Sequence, residues 1–144
     1  MTKRVDVAVG VLVERDNDGW RVFITRRPDH VVYAGYWELP GGKIEPGESP
    51  RDCLRREFRE EVALDIEVGA ELSVIEHHYP HAHVRLHPFF CRCIGGQPRN
   101  LQVTEHRWVR LAELEKYQFP EANMTLMAEV RAMLASPQGD QQAR

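Results

Sequence analysis

The stretch from Pro28 to Val62 limits most strongly what this chain can fold into. Pro28 to Gly47 holds three prolines and four glycines around a single apolar patch. It opens directly onto a predicted helix. Ser49 is placed as N-cap, Pro50 takes the first helical position, and Asp52 suits the helix dipole in the first turn. Leu54, Phe58 and Val62 recur at i, i+4 and i+8 and form a buried stripe. A long connection inside a compact fold is most often a functional loop. The rest of the chain must therefore supply a scaffold that holds this loop against the start of one helix.

The flanking sequence predicts a sheet for that scaffold. Val5, Val7, Val9, Val11 and Val13 alternate with Asp6, Ala8, Gly10 and Leu12, the pattern of a largely buried strand. Asp16-Asn17-Asp18-Gly19 is a turn, and Trp20 to Arg27 returns as a second strand. Asp65 to Pro80 and His83 to Ile94 read as two further strands, and Arg107 to Val109 as a short one. A second helix starts near Pro120 or Glu121, with Leu126, Met127, Val130, Met133 and Leu134 on its apolar face. The order β-β-loop-α-β-β-β-α makes an α+β or mixed-sheet sandwich. One domain is expected over residues 1–135, with residues 136–144 (SPQGDQQAR) as a mobile tail.

The chemistry concentrates in the first helix. Glu57, Glu60 and Glu61 stand at i, i+3 and i+4, so they share one helix face. Three carboxylates so close repel, and basic neighbours or a hard divalent cation must offset the repulsion. Magnesium accepts such oxygen ligands and leaves room for waters and phosphates. A solvated face laced by Arg51, Arg55, Arg56 and Arg59 is the alternative. Upstream, Gly41-Gly42 frees the backbone to approach a ligand or ion.

Taken together, Gly42, Glu48, Arg56-Glu57-Phe58, Glu60-Glu61 and Ala63-Leu64 have the spacing of a long motif. The segment resembles the Nudix box, a loop-helix-loop site for metal and diphosphate. One position departs from it. The family pattern has Gly where this chain has Ala63, and Ala in a left-handed helix cap costs about 1 kcal/mol.

The resemblance implies a Nudix-type α/β/α sandwich with a mixed sheet. It implies metal-dependent hydrolysis of a nucleoside diphosphate linked to another group, with Mg2+ or Mn2+ as cofactor. By motif match, Glu57, Glu60, Glu61 and the Gly41 carbonyl would be the metal ligands. Glu48 and Arg56 would hold the loop against the helix, and their opposite charges support that independently. The catalytic base would be Glu60, Glu61 or Glu105, the last lying three residues before Trp108; a solvated loop charge is the other reading of Glu105.

Beyond the box, AVGVLVERDNDGWRVFITRRP, WELPGGKIEPGES and FPEAN look like bacterial MutT-type 8-oxo-dGTP pyrophosphohydrolases. That resemblance implies substrate contacts from Arg27, Lys43, Tyr79 and Asn123. An Asn amide carries the donor and acceptor that reading a purine edge requires, and it also suits a helix N-cap. Tyr79 would lie against the base or pack as ordinary core. His81 and Ala82 stand where that subfamily has a basic and an acidic residue, so the base pocket is not a copy. CTP, a pterin triphosphate and ADP-ribose are alternative substrates, and a non-catalytic nucleotide-binding module is the alternative class.

Charge and composition exclude other partners. Lys plus Arg is 19 and Asp plus Glu is 22, a net charge of −3. A nucleic-acid polymer needs a basic footprint that this total does not supply. There is no apolar run of membrane-spanning length and no signal peptide pattern. Three cysteines, Cys53, Cys91 and Cys93, argue against a disulfide framework and for a reducing cytoplasm. Five histidines fall between His77 and His87. Zinc is conceivable there, but ligand spacing favours a polar strand face.

Overall fold

The alternation in the first strand sets the architecture. The computed structural model describes residues 3–135, so the predicted tail at 136–144 lies outside the described residues. Strand β1 (Arg4–Asp16) turns at Asp16–Gly19 into β2 (Gly19–Arg26). Two short strands follow inside the long loop, β3 (Trp37–Glu38) and β4 (Gly41–Lys43). Then come α1 (Pro50–Val62), β5 (Asp65–Glu71), β6 (Ile75–Tyr79), β7 (Ala82–Gly95) and β8 (Glu105–Arg110). A 3-10 turn (Leu111–Lys116) leads to α2 (Glu121–Leu134). No described helix is long and apolar enough to cross a membrane.

β1 is shared between two parts of a mixed sheet. Its first half pairs in parallel with β7 on one edge and antiparallel with β4 on the other. Its last residues pair with β2, and β2 continues to β3 and β8. The pleat then sorts side chains into two layers. Val9, Val11 and Val13 join Leu126, Met127, Val130 and Leu134 of α2 in one core. Ala8 and Leu12 join Leu54, Phe58 and Val62 of α1 in the other. This is the expected α/β/α sandwich, with each helix docked by its apolar stripe. Each fully buried Leu, Phe or Val contributes roughly 1.5–3 kcal/mol of transfer free energy.

α1 has the ends its sequence predicts. The Ser49 hydroxyl accepts from the Asp52 N–H at 3.1 Å. Ala63 closes the helix in the left-handed conformation, φ 61° and ψ 32°. Its N–H donates to the Arg59 carbonyl and that of Leu64 to Phe58. A methyl group at that φ is strained, and glycine is not. Ala63→Gly is therefore expected to stabilise the fold by about 1 kcal/mol, read as a higher urea midpoint at unchanged slope.

One expectation needs correction. Asp65 to Pro80 is not one strand. β5 and β6 both pair antiparallel along the same edge of β7, interrupted at Leu72–Val74 opposite Pro88. Pro88 has no N–H to give to the ladder, so pairing breaks there; its carbonyl still accepts from Leu72. The long loop, in turn, carries two short strands of its own. β4 docks on β1 with Val9 opposite Gly41 and Val7 opposite Lys43, which fixes the glycine pair to the sheet.

Candidate active site

The elements that flank the long loop enclose a cleft of about 770 Å³. Its polar lining includes Gly41, Gly42, Lys43, Glu38, Glu61, His81 and Asn123. Tyr33 and Tyr79 add aromatic rings. Apolar side chains of β1 and β7, among them Val7, Val9 and Leu86, complete the wall. Arg27, just past β2, also lines the cleft.

The helix face builds around Arg56. Its Nε donates to Glu48 at 2.8 Å and its Nη2 to the other Glu48 oxygen at 2.9 Å, a fork that clamps the loop onto α1. Its Nη1 donates to Glu57 at 2.8 Å and Glu60 at 3.2 Å. Nη2 also reaches the Lys43 carbonyl at 3.4 Å. Arg56 holds Glu48 well below the usual carboxylate range, at about 2. The folded carboxyl then binds its proton less readily than the unfolded one, so the pair stabilises the protein above the ordinary value near 4.5. That contribution is lost as pH falls from there toward 2. The stability gap between wild type and Glu48→Gln should stay flat at neutral pH and close over that window, measured by urea midpoints.

Glu57 and Glu61 are under the opposite stress. Burial pushes the Glu57 carboxyl up, with Arg56 acting against it. Burial pushes Glu61 up strongly, and the negative charges of Glu38 and Glu57 add to the effect; the Gly41 N–H works against it. Glu61 Oε2 is buried with no hydrogen-bond partner. Gly42 lies so close that a Cβ there would fall 2.5 Å from the Glu57 carboxyl carbon. Among the described residues no three His, Cys, Asp or Glu side chains converge as a ready-formed ion cage. On α1 the Arg56 guanidinium stands between Glu57 and Glu60. The donor set still fits a hard divalent cation. It is all oxygen, one atom is orphaned, and two carboxyls are raised by burial.

Of the residues named from sequence, Arg27, Gly41, Lys43, Glu61, Tyr79 and Asn123 line the cleft. Glu57 abuts its wall at Gly42. Glu60 is half exposed on the Arg56 side. Glu105 does not line the cleft. It sits at the start of β8 and accepts from Arg26 at 3.1 Å and Arg107 at 3.2 Å. Asn123 is not a helix cap. The N-cap of α2 is Pro120, without a side-chain bond. The Asn123 Oδ1 accepts from the Leu39 N–H at 3.2 Å instead, which leaves its amide N–H pair for other acceptors. The Tyr79 hydroxyl accepts from the Ala122 N–H at 3.4 Å. Its ring contacts His77, His81 and Tyr33 at centroid separations of 4.3, 5.4 and 5.8 Å.

The histidines do not act as one cluster. His78 stacks on His83 across β6 and β7 at 4.0 Å, while His87 bonds Asp6 and His77 bonds Glu121. Glu38 is a cleft residue outside the recognised motif. Trp37 and Leu39 enter the α2 core, so the pleat turns Glu38 to the opposite side, toward Glu61. An acid between two large apolar residues beside the glycine pair was the available signal.

The chain is similar to known proteins over nearly its whole length. A sequence profile for the NUDIX domain matches residues 8–129. An 8-oxo-dGTP diphosphatase of Escherichia coli (strain K12) is 30% identical over 131 residues, covering 91% of this chain and 99% of that protein. A CTP pyrophosphohydrolase of the same organism is also 30% identical, over 141 residues, covering 96% and 99%. The solution structure of the E. coli ORF135 protein superposes with a TM-score of 0.77 at 27% identity, covering 94% of each chain.

Proposed function

Because the chain belongs to the NUDIX domain family and is a Nudix pyrophosphohydrolase, we propose that it hydrolyses free nucleoside triphosphates to a monophosphate and pyrophosphate. Oxidised purine nucleotides such as 8-oxo-dGTP are its foremost substrates. The observation that carries this reading is the make-up of the cleft. It gathers carboxylates and a glycine pair together with an oriented Asn amide and tyrosine rings. The first group suits a polyphosphate with its cation and the second suits a base.

Glu57, Glu60, Glu61 and the Gly41 carbonyl would hold the divalent cation, Mg2+ or Mn2+. When bound, the cation supplies charge neutralisation at the phosphates and acidifies water for in-line attack. Arg56 and Glu48 keep the loop seated on α1. Arg27 and Lys43 meet the nucleotide with N–H donors. The Asn123 amide donates to a keto or ring-nitrogen acceptor of the base. Glu105 has the weaker claim to the base role, since it is engaged by two arginines outside the cleft.

A second reading, CTP hydrolysis, is favoured by the full-length similarity to a CTP pyrophosphohydrolase. A net charge of −3 supports a free nucleotide over a polymer in either case. A mass-spectrometric product screen with Mg2+ and Mn2+ over 8-oxo-dGTP, dGTP, CTP and ADP-ribose decides between them. Preference for 8-oxo-dGTP over dGTP supports the first reading, and faster turnover of CTP replaces it with the second. No turnover of any member of the panel defeats both.

A further inference from the structure

Glu38 is the cleft's unassigned carboxylate. It is partly buried at the end of β3, and its pleat position places it on the α1 side of the sheet, where its charge acts on Glu61. Its hydrogen-bond partner is Arg27, whose Nη1 donates to Glu38 Oε2 at 2.6 Å. Thr25, opposite Glu38 in the β2–β3 register, is buried with an unbonded hydroxyl, so it does not compete for that carboxylate. Arg27 is held at a second point, its Nε donating to the Val32 carbonyl at 2.7 Å. Two bonds fix the plane of a guanidinium. Three of its five N–H groups are then left for a ligand.

We propose that Glu38 is a positioning residue for nucleotide recognition: its carboxylate locks the Arg27 guanidinium into the cleft with the free side of the fork toward the ligand. This rests on Arg27 meeting the nucleotide. Glu38 also cancels the Arg27 charge, so Arg27 acts as a directional hydrogen-bond fork and less as a general attractor of anions. Burial raises the Glu38 carboxyl and the Arg27 charge opposes it, as expected of an anion retained inside the fold by one cation. The contact is too costly to leave half-made. Without Glu38, the partly exposed Arg27 keeps one anchor and swings toward solvent.

The test has two arms on the full chain, using Glu38→Ala, Glu38→Gln, Arg27→Ala and the Glu38→Ala/Arg27→Ala double variant. The first arm follows the Arg27 Nη1–H resonance by low-temperature heteronuclear NMR without nucleotide. It should exchange slowly in the wild type, be lost to fast exchange in Glu38→Ala, and survive in Glu38→Gln, which keeps an acceptor. An Arg27 signal that is unchanged in Glu38→Ala overturns the proposal. The second arm measures kcat and KM for 8-oxo-dGTP and CTP. Each single alanine variant should raise KM on the order of tenfold with kcat within about threefold, the loss of one charge-assisted hydrogen bond. The double variant should be no worse than Arg27→Ala. Multiplying losses, or a fall in kcat with KM unmoved, refutes the positioning role. If the wild type turns over neither nucleotide, the functional reading fails, and the resonance arm still decides for or against Glu38.

Discussion

Glu61→Gln is expected to lower kcat by about 10²- to 10⁴-fold, the range for losing a group that carries charge or a proton in the transition state. The variant should fold at least as well as the wild type. Gln keeps the shape of the side chain and removes a charge that burial, Glu38 and Glu57 all oppose. In the cation-free protein the Glu61 carboxyl binds its proton more readily folded than unfolded. Stability from this group is thus complete below the ordinary carboxylate value near 4.5 and is lost as pH rises through the raised folded value. Glu61→Gln removes that loss, so its urea midpoint should exceed that of the wild type at neutral pH in chelator. Saturating Mg2+ should narrow the difference, because an ion bound only by the folded wild type stabilises it by mass action. Activity and stability thus move in opposite directions from one atom pair. A Glu61→Gln enzyme with near wild-type turnover would sink the ligand assignment. So would activity that persists in the wild type after exhaustive chelation.

Part of this site is written locally and part is not. The α1 caps, the buried stripe and the Arg56–Glu48 pair involve residues within a few turns of one another, where helix geometry leaves little choice. The side of β1 that faces each helix follows from period two alone. What the sequence hides lies across long separations. Asn123 could equally have capped its own helix; it instead accepts from Leu39, 84 residues away. Glu38 gives no local sign of its partner either; Arg27 lies 11 residues earlier, across the loop that follows β2. Glu105 shows the converse. Its place before Trp108 is legible, while its reach is decided by Arg26 and Arg107, which engage its two carboxylate oxygens. The split between β5 and β6 depends on Pro88 in a neighbouring strand. No periodicity within residues 65–80 could reveal it.

The adjacent glycines of the loop separate stability from chemistry. In Gly41→Ala the new Cβ drives into the carbonyl oxygen of Ala8. That atom is backbone of β1, held in the sheet opposite Gly42 of β4, so it has nowhere to go. The β1–β4 pairing must yield instead, at about 3 kcal/mol, the upper part of the overpacking range. For a chain of this length that lowers Tm by roughly 10 °C. Gly42→Ala meets a different neighbour. Its Cβ falls 2.5 Å from the carboxyl carbon of Glu57, the far end of a flexible side chain. Glu57 can swing away at little cost in stability, but it then leaves its contact with the loop and its bond to Arg56. Gly42→Ala should melt within a few degrees of the wild type and lose at least about tenfold in kcat, the scale on which misplacing a reacting group by an ångström acts. Gly95→Ala is the control, since its Cβ would meet only ordinary contacts at 3.6 Å. Melting curves and steady-state rates on the three variants should give one unstable protein, one stable but slow enzyme and one near wild type. Equal melting of Gly41→Ala and Gly95→Ala would show that β4 is not pinned to β1. Full activity in Gly42→Ala would show that the position of Glu57 against the loop is irrelevant to turnover.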